Sequence, residues 1–339
     1  MEDPIIKVMV IEDEPTRKDL LIGILHNQAE FELAEAGSAE EALRLMAKDK
    51  PDLITIGIKL NGMDALSFTR LVMQKDPVPI LVVSSVEDES EMLSAFDIIE
   101  AGALAAIETP VDSNHQDYQR LANQLISTIK TMAEVKLVRR RTRLSGRAEN
   151  KSLTLPKRER GEQALVTIGA STGGPAVIQH ILKGLPPDFP APIVIAQHIA
   201  PGFLGGLVSW LVATTSYRVE IAVHRKKLEP GVAYLCPEGF QTGITSGGRF
   251  DISDKSIING VRPSVAHLFK SAGLAYGKRT LGVLLTGMGR DGARELKTIR
   301  DIGGTTVVQD RKTSIVHGMP GEAIRLGAAS HVVAASDLA

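Results

Sequence analysis

One cysteine, Cys236, occurs in 339 residues. No intramolecular disulfide can form, which excludes a disulfide-stapled secreted scaffold and fits a reducing compartment. No apolar run reaches the roughly 18 residues of a membrane span. The opening Met1-Glu2-Asp3-Pro4 has neither the basic start nor the long apolar core of a secretion signal. The expectation is a cytoplasmic protein with no membrane insertion. Internal repeats and low-complexity tracts are also missing.

What is present points to a folded, two-domain chain. Hydrophobic residues make up 43% and charged residues 23%, ordinary values for a globular protein. At about 150 residues per domain, the length predicts two units. The net charge of −1 hides an asymmetry: residues 1–130 carry −13, residues 131–160 carry +7 and residues 161–339 carry +5. An acidic front half and a basic back half would attract each other, unless these are only scattered solvated charges. Val138-Arg139-Arg140-Arg141-Thr142-Arg143 opens a polar stretch without apolar periodicity. We divide the chain into a first domain at 1–130, a basic flexible linker at 131–161 and a second domain at 162–339. The arginine cluster lacks interleaved aromatics, and no nucleic-acid partner is expected.

The first domain alternates strand and helix patterns. Strands are expected at 5–11, 53–58, 79–83 and 103–107, with helices between them. Ser38-Ala39-Glu40-Glu41 reads as a capping box. Such alternation predicts a parallel sheet covered by helices on both faces, with its functional crevice at the carboxyl ends of the strands. Along these strands and just beyond them stand Glu12-Asp13, the segment Pro51-Asp52-Leu53-Ile54-Thr55-Ile56 with Asn61-Gly62-Met63-Asp64, Val83-Ser84-Ser85 and Thr109-Pro110. Together these resemble a response-regulator receiver domain over about residues 5–125. The resemblance implies a phospho-accepting aspartate at the position of Gly57 and a lysine at the position of Thr109. Neither residue is there. Glycine has no nucleophile, and Thr109 supplies no ammonium for a phosphoryl oxygen. Glu12 and Asp13 remain, but with a third carboxylate missing, Mg²⁺ binding should weaken. Asp52 and Asp64 do not substitute, since one starts the strand and the other opens the next helix. Ser84 is then a strand-end turn residue with no phosphate to sense. The expectation is a pseudo-receiver that aspartyl phosphorylation cannot switch.

The second domain carries the chemistry. A buried-strand pattern at 164–168 runs into Gly169-Ala170-Ser171-Thr172-Gly173-Gly174-Pro175, and a helical pattern follows. Ser171 thus sits on a strand-to-helix turn, flanked by small residues and close to free N–H donors. That suits a nucleophile whose reaction develops an oxyanion, and it satisfies G-x-S-x-G. A Gly-rich turn that binds phosphate or merely closes a βα unit is the plainer reading of this motif alone. Two further strands end near the same edge: 192–196 before Gln197-His198, and 281–285 before Thr286-Gly287-Met288-Gly289-Arg290-Asp291. In a parallel sheet these ends converge. Ser171 would attack, His198 would take its proton and Asp291 would fix the imidazole tautomer. No histidine–acid spacing suggests a metal, and no cofactor is expected.

Ser171-Thr172-Gly173-Gly174, Gln197-His198 and Leu285-Thr286-Gly287-Met288-Gly289-Arg290-Asp291-Gly292 look like the protein-glutamate methylesterase of bacterial chemotaxis, the CheB family. Further matches are Pro201-Gly202-Phe203, Arg262-Pro263-Ser264-Val265 and Gly318-Met319-Pro320. The resemblance implies two doubly wound α/β parallel-sheet domains, a flavodoxin-like receiver and then a Rossmann-like methylesterase domain. It implies hydrolysis of glutamate γ-methyl esters on chemoreceptor cytoplasmic helices, with release of methanol, and deamidation of receptor glutamines. Ser171, His198 and Asp291 would be the catalytic residues. Thr172 would place a hydroxyl near the histidine, the Met288 N–H would help form the oxyanion hole, and Gly173 and Gly287 would support it. Methyl-accepting receptors are the implied partners, with a chemosensory kinase or adaptor as a further one. Where the family often has an acid after Ser264-Val265, this chain has Ala266, read as a neutral helix-surface change.

Two other functions stay open on the residues. A general α/β-hydrolase shares G-x-S-x-G, but its acid precedes its histidine in the chain, the reverse of the order here. A non-catalytic regulatory or nucleotide-binding protein would fit the degenerate receiver, though not the intact Ser171, His198 and Asp291.

Overall fold

A computed structural model describes residues 5–110, 114–135, 164–254 and 256–339. The first domain runs β1 (Ile6–Ile11), α1 (Pro15–His26), β2 (Phe31–Ala36), α2 (Ala39–Met46), β3 (Leu53–Gly57), α3 (Ala65–Lys75), β4 (Ile80–Ser84), α4 (Glu89–Glu100), β5 (Ala105–Glu108) and α5 (Tyr118–Ala133). Its five strands pair in parallel in the order β2-β1-β3-β4-β5. β3 and β4 are buried at every position, as continuous apolar runs between two helical layers should be. The capping box is only half made. Ser38 accepts from the Glu41 N–H at 3.2 Å, while the Glu41 carboxylate turns to the N–H of Gly37 at 2.8 Å. Strand β2 had no apolar signature because Glu32 and Glu35 face outward on a sheet edge.

The domain boundary lies later than the expected 130. Helix α5 continues to Ala133, and Met132 is buried in the first domain's core. Residues 136–161 of the expected linker, including the arginine cluster, lie outside the described residues.

The second domain runs β6 (Leu165–Ala170), α6 (Gly174–Gly184), β7 (Ile193–Gln197), α7 (Leu204–Thr214), β8 (Arg218–Ile221), β9 (Val232–Leu235), β10 (Gln241–Ile244), β11 (Phe250–Ser253), α8 (Val265–Tyr276), β12 (Thr280–Leu284), α9 (Ala293–Asp301), β13 (Thr305–Gln309), α10 (Gly318–Arg325) and β14 (His331–Val333). Seven strands form one parallel sheet in the order β14-β13-β12-β6-β7-β9-β8, and β10 pairs with β11 in a separate antiparallel ribbon. From β6 the chain first builds outward through β7, then returns to build β12 on the other side. The switch point therefore lies at β6, where doubly wound sheets place their ligands.

The two domains meet along α4, which packs on α6 and α7. Phe96 stacks on Trp210 at 5.7 Å and meets Phe203 edge-on at 6.5 Å. The Trp210 indole N–H donates to Asp97 at 2.9 Å. At Gly206 the helices approach so closely that a Cβ would lie 2.9 Å from the Cβ of Met92. Charge attraction between the halves was expected, yet among the described residues no ion pair joins them. The seam is aromatic and apolar, so burial of these rings holds it rather than Coulomb attraction.

Candidate active site

Ser171 follows β6 directly, and its turn is built from small residues for steric reasons. Gly173 has φ +77°, a conformation that disfavours side chains. A Cβ on Gly174 would fall 2.2 Å from the Gln197 side-chain oxygen, and one on Gly287 would fall 2.7 Å from the Ser171 Cβ. The backbone around the serine is fully employed. The Ser171 N–H donates to Thr286 O at 3.0 Å, and Ser171 O accepts from Gly174 N–H and from the Gln197 amide at 2.9 Å. The same amide group donates to His198 O at 2.7 Å. Gln197 thus ties the serine turn to the histidine turn, a role that its place in the sequence did not reveal.

His198 follows β7, and its Nε2 lies 3.0 Å from Asp291 Oδ2. With Nε2–H donated to the carboxylate, Nδ1 is left as the proton acceptor. This reverses the more familiar triad arrangement, in which Nε2 serves the nucleophile. Ser171, Thr172 and His198 line one cavity of about 230 Å³. Its far wall belongs to the first domain, through Phe96, Ile107, Gln124, Thr128 and Met132.

Asp291 lies beyond β12 and is 4% exposed. Its carboxylate accepts from Asn259 Nδ2 at 2.8 Å, Val265 N–H at 2.7 Å and Ala266 N–H at 3.3 Å, besides His198. The two backbone donors are the first N–H groups of α8, where the helix dipole favours an anion. Burial pushes the carboxyl upward, but the hydrogen bonds from His198 and Asn259 outweigh it and hold the group below its ordinary range. Ala266 is therefore not a surface position. It is 4% exposed, in the turn that holds the acid. Asn259 escaped the sequence reading. Its contact with Asp291 spans 32 residues, and no local pattern marks it.

Gly287 donates its own N–H to Val316 O at 2.9 Å. Met288 is 39% exposed, and its N–H makes no hydrogen bond among the described residues. Thr172 is buried at 8%, its carbonyl held by the Thr286 hydroxyl at 3.0 Å.

The receiver-like pocket is also filled in. A Cβ on Gly57 would lie 2.5 Å from Glu12 Oε2, so the Glu12 carboxylate occupies the place of a side chain at 57. Glu12 Oε1 accepts from the N–H groups of Asp13 and Glu14, both at 3.1 Å, while its buried Oε2 has no partner. Asp13 accepts from Asn61 N–H, and the buried Thr109 hydroxyl has no partner. Ser84 is fully buried and donates only to Ser85 O. Asp52 accepts from Lys7 N–H and Asp64 caps α3, so neither enters the pocket. Among the described residues no group of three or more metal-ligating side chains is placed to hold a cation.

The CheB methylesterase family model matches residues 166–339, and the response regulator receiver domain model matches residues 8–117. The chain is 43% identical over 97% of its length to protein-glutamate methylesterase/protein-glutamine glutaminase 4 of Geobacter metallireducens, covering 95% of that protein. It is 42% identical over 97% of its length to enzyme 1 of the same name from Syntrophus aciditrophicus, again covering 95%. The catalytic domain of Thermotoga maritima CheB methylesterase superposes with a TM-score of 0.51 at 36% identity, over 52% of this chain and 96% of that one.

Proposed function

The chain belongs to the CheB methylesterase family, and from that premise we propose that it hydrolyses glutamate γ-methyl esters on the cytoplasmic helices of chemoreceptors and deamidates glutamines there. The observation that carries the reading is the junction of three strand ends: Ser171 after β6, His198 after β7, and Asp291 beyond β12, 3.0 Å from the imidazole. Among the described residues no helix is long and apolar enough to cross a membrane.

Ser171 Oγ attacks the ester carbonyl as its proton passes to His198 Nδ1. Asp291, held ionised by its donors, stabilises the imidazolium. The tetrahedral oxyanion takes hydrogen bonds from the Met288 N–H and the neighbouring Thr172. Its collapse breaks the C–O bond to methoxide, which leaves as methanol with the proton from His198. Water, deprotonated by His198, then attacks the acyl-serine and releases the glutamate carboxylate. With a glutamine substrate the leaving group is ammonia and the remaining steps are the same.

The first domain acts as a cover. It walls the cavity in front of Ser171, leaving too little space for a receptor helix about 10 Å wide. With Gly57 and Thr109 in its pocket, aspartyl phosphorylation does not lift this cover; protein binding does. Acetyl phosphate with Mg²⁺ should add no phosphoryl mass to the chain, and such a gain would overturn this part.

The test of the activity is methanol release from methylated receptor membranes by the full chain and by Ser171→Ala. Release by the first and none by the second is expected. Equal release from both would remove Ser171 from the mechanism, and none from the folded wild-type chain across a receptor panel would refute the substrate.

A further inference from the structure

The peptide between Gly287 and Met288 is trans, so its C=O and N–H point in opposite directions. Its carbonyl is claimed twice: Gly287 O accepts from Gly318 N–H at 3.1 Å and from Met319 N–H at 2.9 Å. Both donors are first-turn N–H groups of α10, which have no intrahelical partner. The Met288 N–H therefore points away from α10, on the same loop that Ser171 packs against, with no hydrogen bond among the described residues.

This orientation is not guaranteed by the loop itself. Gly287 has no side chain to restrict its ψ, and Gly289 sits at φ +83°. Rotation of the 287–288 peptide by about 180° would bring the carbonyl to the side the N–H now faces. An oxyanion formed there would meet a lone pair instead of a donor. The two bonds from α10 oppose that rotation. The fit at Gly318 is equally tight: a Cβ there would lie 2.9 Å from both Gly287 O and Gly289 N.

Resting on the methylesterase reading, we infer that Gly318 and Met319, at the start of α10, are positioning residues that lock the Gly287–Met288 peptide with its N–H facing the oxyanion. They touch no substrate and act through Met288. The lock is preorganisation: the donor is aimed before the charge appears.

The test compares the full chain with Gly318→Ala. The added methyl should push the 287–289 loop off its two donors. Loss of one oxyanion donor typically costs about 10²–10³ in kcat. The expected result is a fall of about a hundredfold in kcat for methanol release with KM within about twofold. A small alkylboronic acid reads the same site without receptors, since its tetrahedral Ser171 adduct places a hydroxyl where the oxyanion forms. Its affinity should fall by the same factor. Ala323→Gly, deeper in α10, controls for general loosening of the helix and should leave kcat and boronate affinity at wild-type values. Unchanged kcat and boronate affinity in Gly318→Ala would overturn the inference. So would equal losses in Ala323→Gly. If wild type binds the boronate but releases no methanol, the substrate reading fails while the boronate comparison still decides the lock.

Discussion

Asp291 and Glu12 occupy matching places in the two domains. Each stands at the carboxyl edge of a parallel sheet, and the two are 4% and 1% exposed. Desolvation pushes both carboxyls upward. For Asp291, two α8 amides, Asn259 and His198 reverse the push, and the group stays below its ordinary range. For Glu12, two N–H groups reach one oxygen, the other has no partner, and the group ends above its ordinary range. Burial is common to both, and the supply of donors decides which carboxylate is held as an anion. A catalytic acid partner needs that supply. A carboxylate that has moved into the space of a missing phospho-acceptor does not have it.

The largest effect that would sharpen this contrast is on Asp291 itself. Asp291→Asn keeps the shape but removes the charge, and its amide group meets the Val265 and Asn259 donors. In a serine protease triad the same change costs about 10⁴ in kcat. A comparable fall in methanol release is expected, and a loss below tenfold would show that His198 needs no anion. Asn259→Ala removes one donor of the four. A hydrogen bond to a charged group is worth about 1.5–3 kcal/mol, so kcat should fall about ten- to a hundredfold. Unaltered kcat would mean that the α8 amides suffice.

A smaller effect separates the two domains as bodies. Gly206→Ala improves α7 as a helix but places a methyl against Met92 of α4. Overpacking of about 1–2 kcal/mol shifts a docked–undocked balance about 5- to 30-fold. Methanol release should rise, up to that factor. No rise would mean that docking does not limit access.

Much of this arrangement was legible in the residues. Strand-ending motifs placed Ser171, His198 and Asp291 on one edge because a parallel sheet leaves no other arrangement. Gly57 and Thr109 departed from the receiver pattern by identity alone. What stayed hidden was partnership across long sequence separations. Asn259 drew no reading at all, while Gln197 read as a companion of His198 and Ala266 as a surface substitution. The domain seam was hidden for a related reason. Net charge measures whole surfaces, whereas Phe96, Phe203 and Trp210 make a local contact that periodicity cannot distinguish from core packing. The short strands β8, β10 and β11, four residues each, are too brief to show a period.

The smallest effect tests the Glu12 half of the contrast. Its folded pKa lies above the unfolded value of about 4.3. The folded state therefore binds the extra proton, and the associated stability is fully present below the unfolded pKa and lost as pH rises through the folded one. Asp291 has the opposite sign: its contribution is present above the unfolded value and lost as pH falls through the depressed folded one. Glu12→Gln cannot titrate, so the decline should vanish. Urea midpoints of wild type and variant, measured from pH 4 upward, should diverge with rising pH in favour of the variant. Parallel curves would mean that Glu12 keeps an ordinary pKa despite its orphaned oxygen. Burial without donors would then have no electrostatic consequence, and the contrast with Asp291 would collapse.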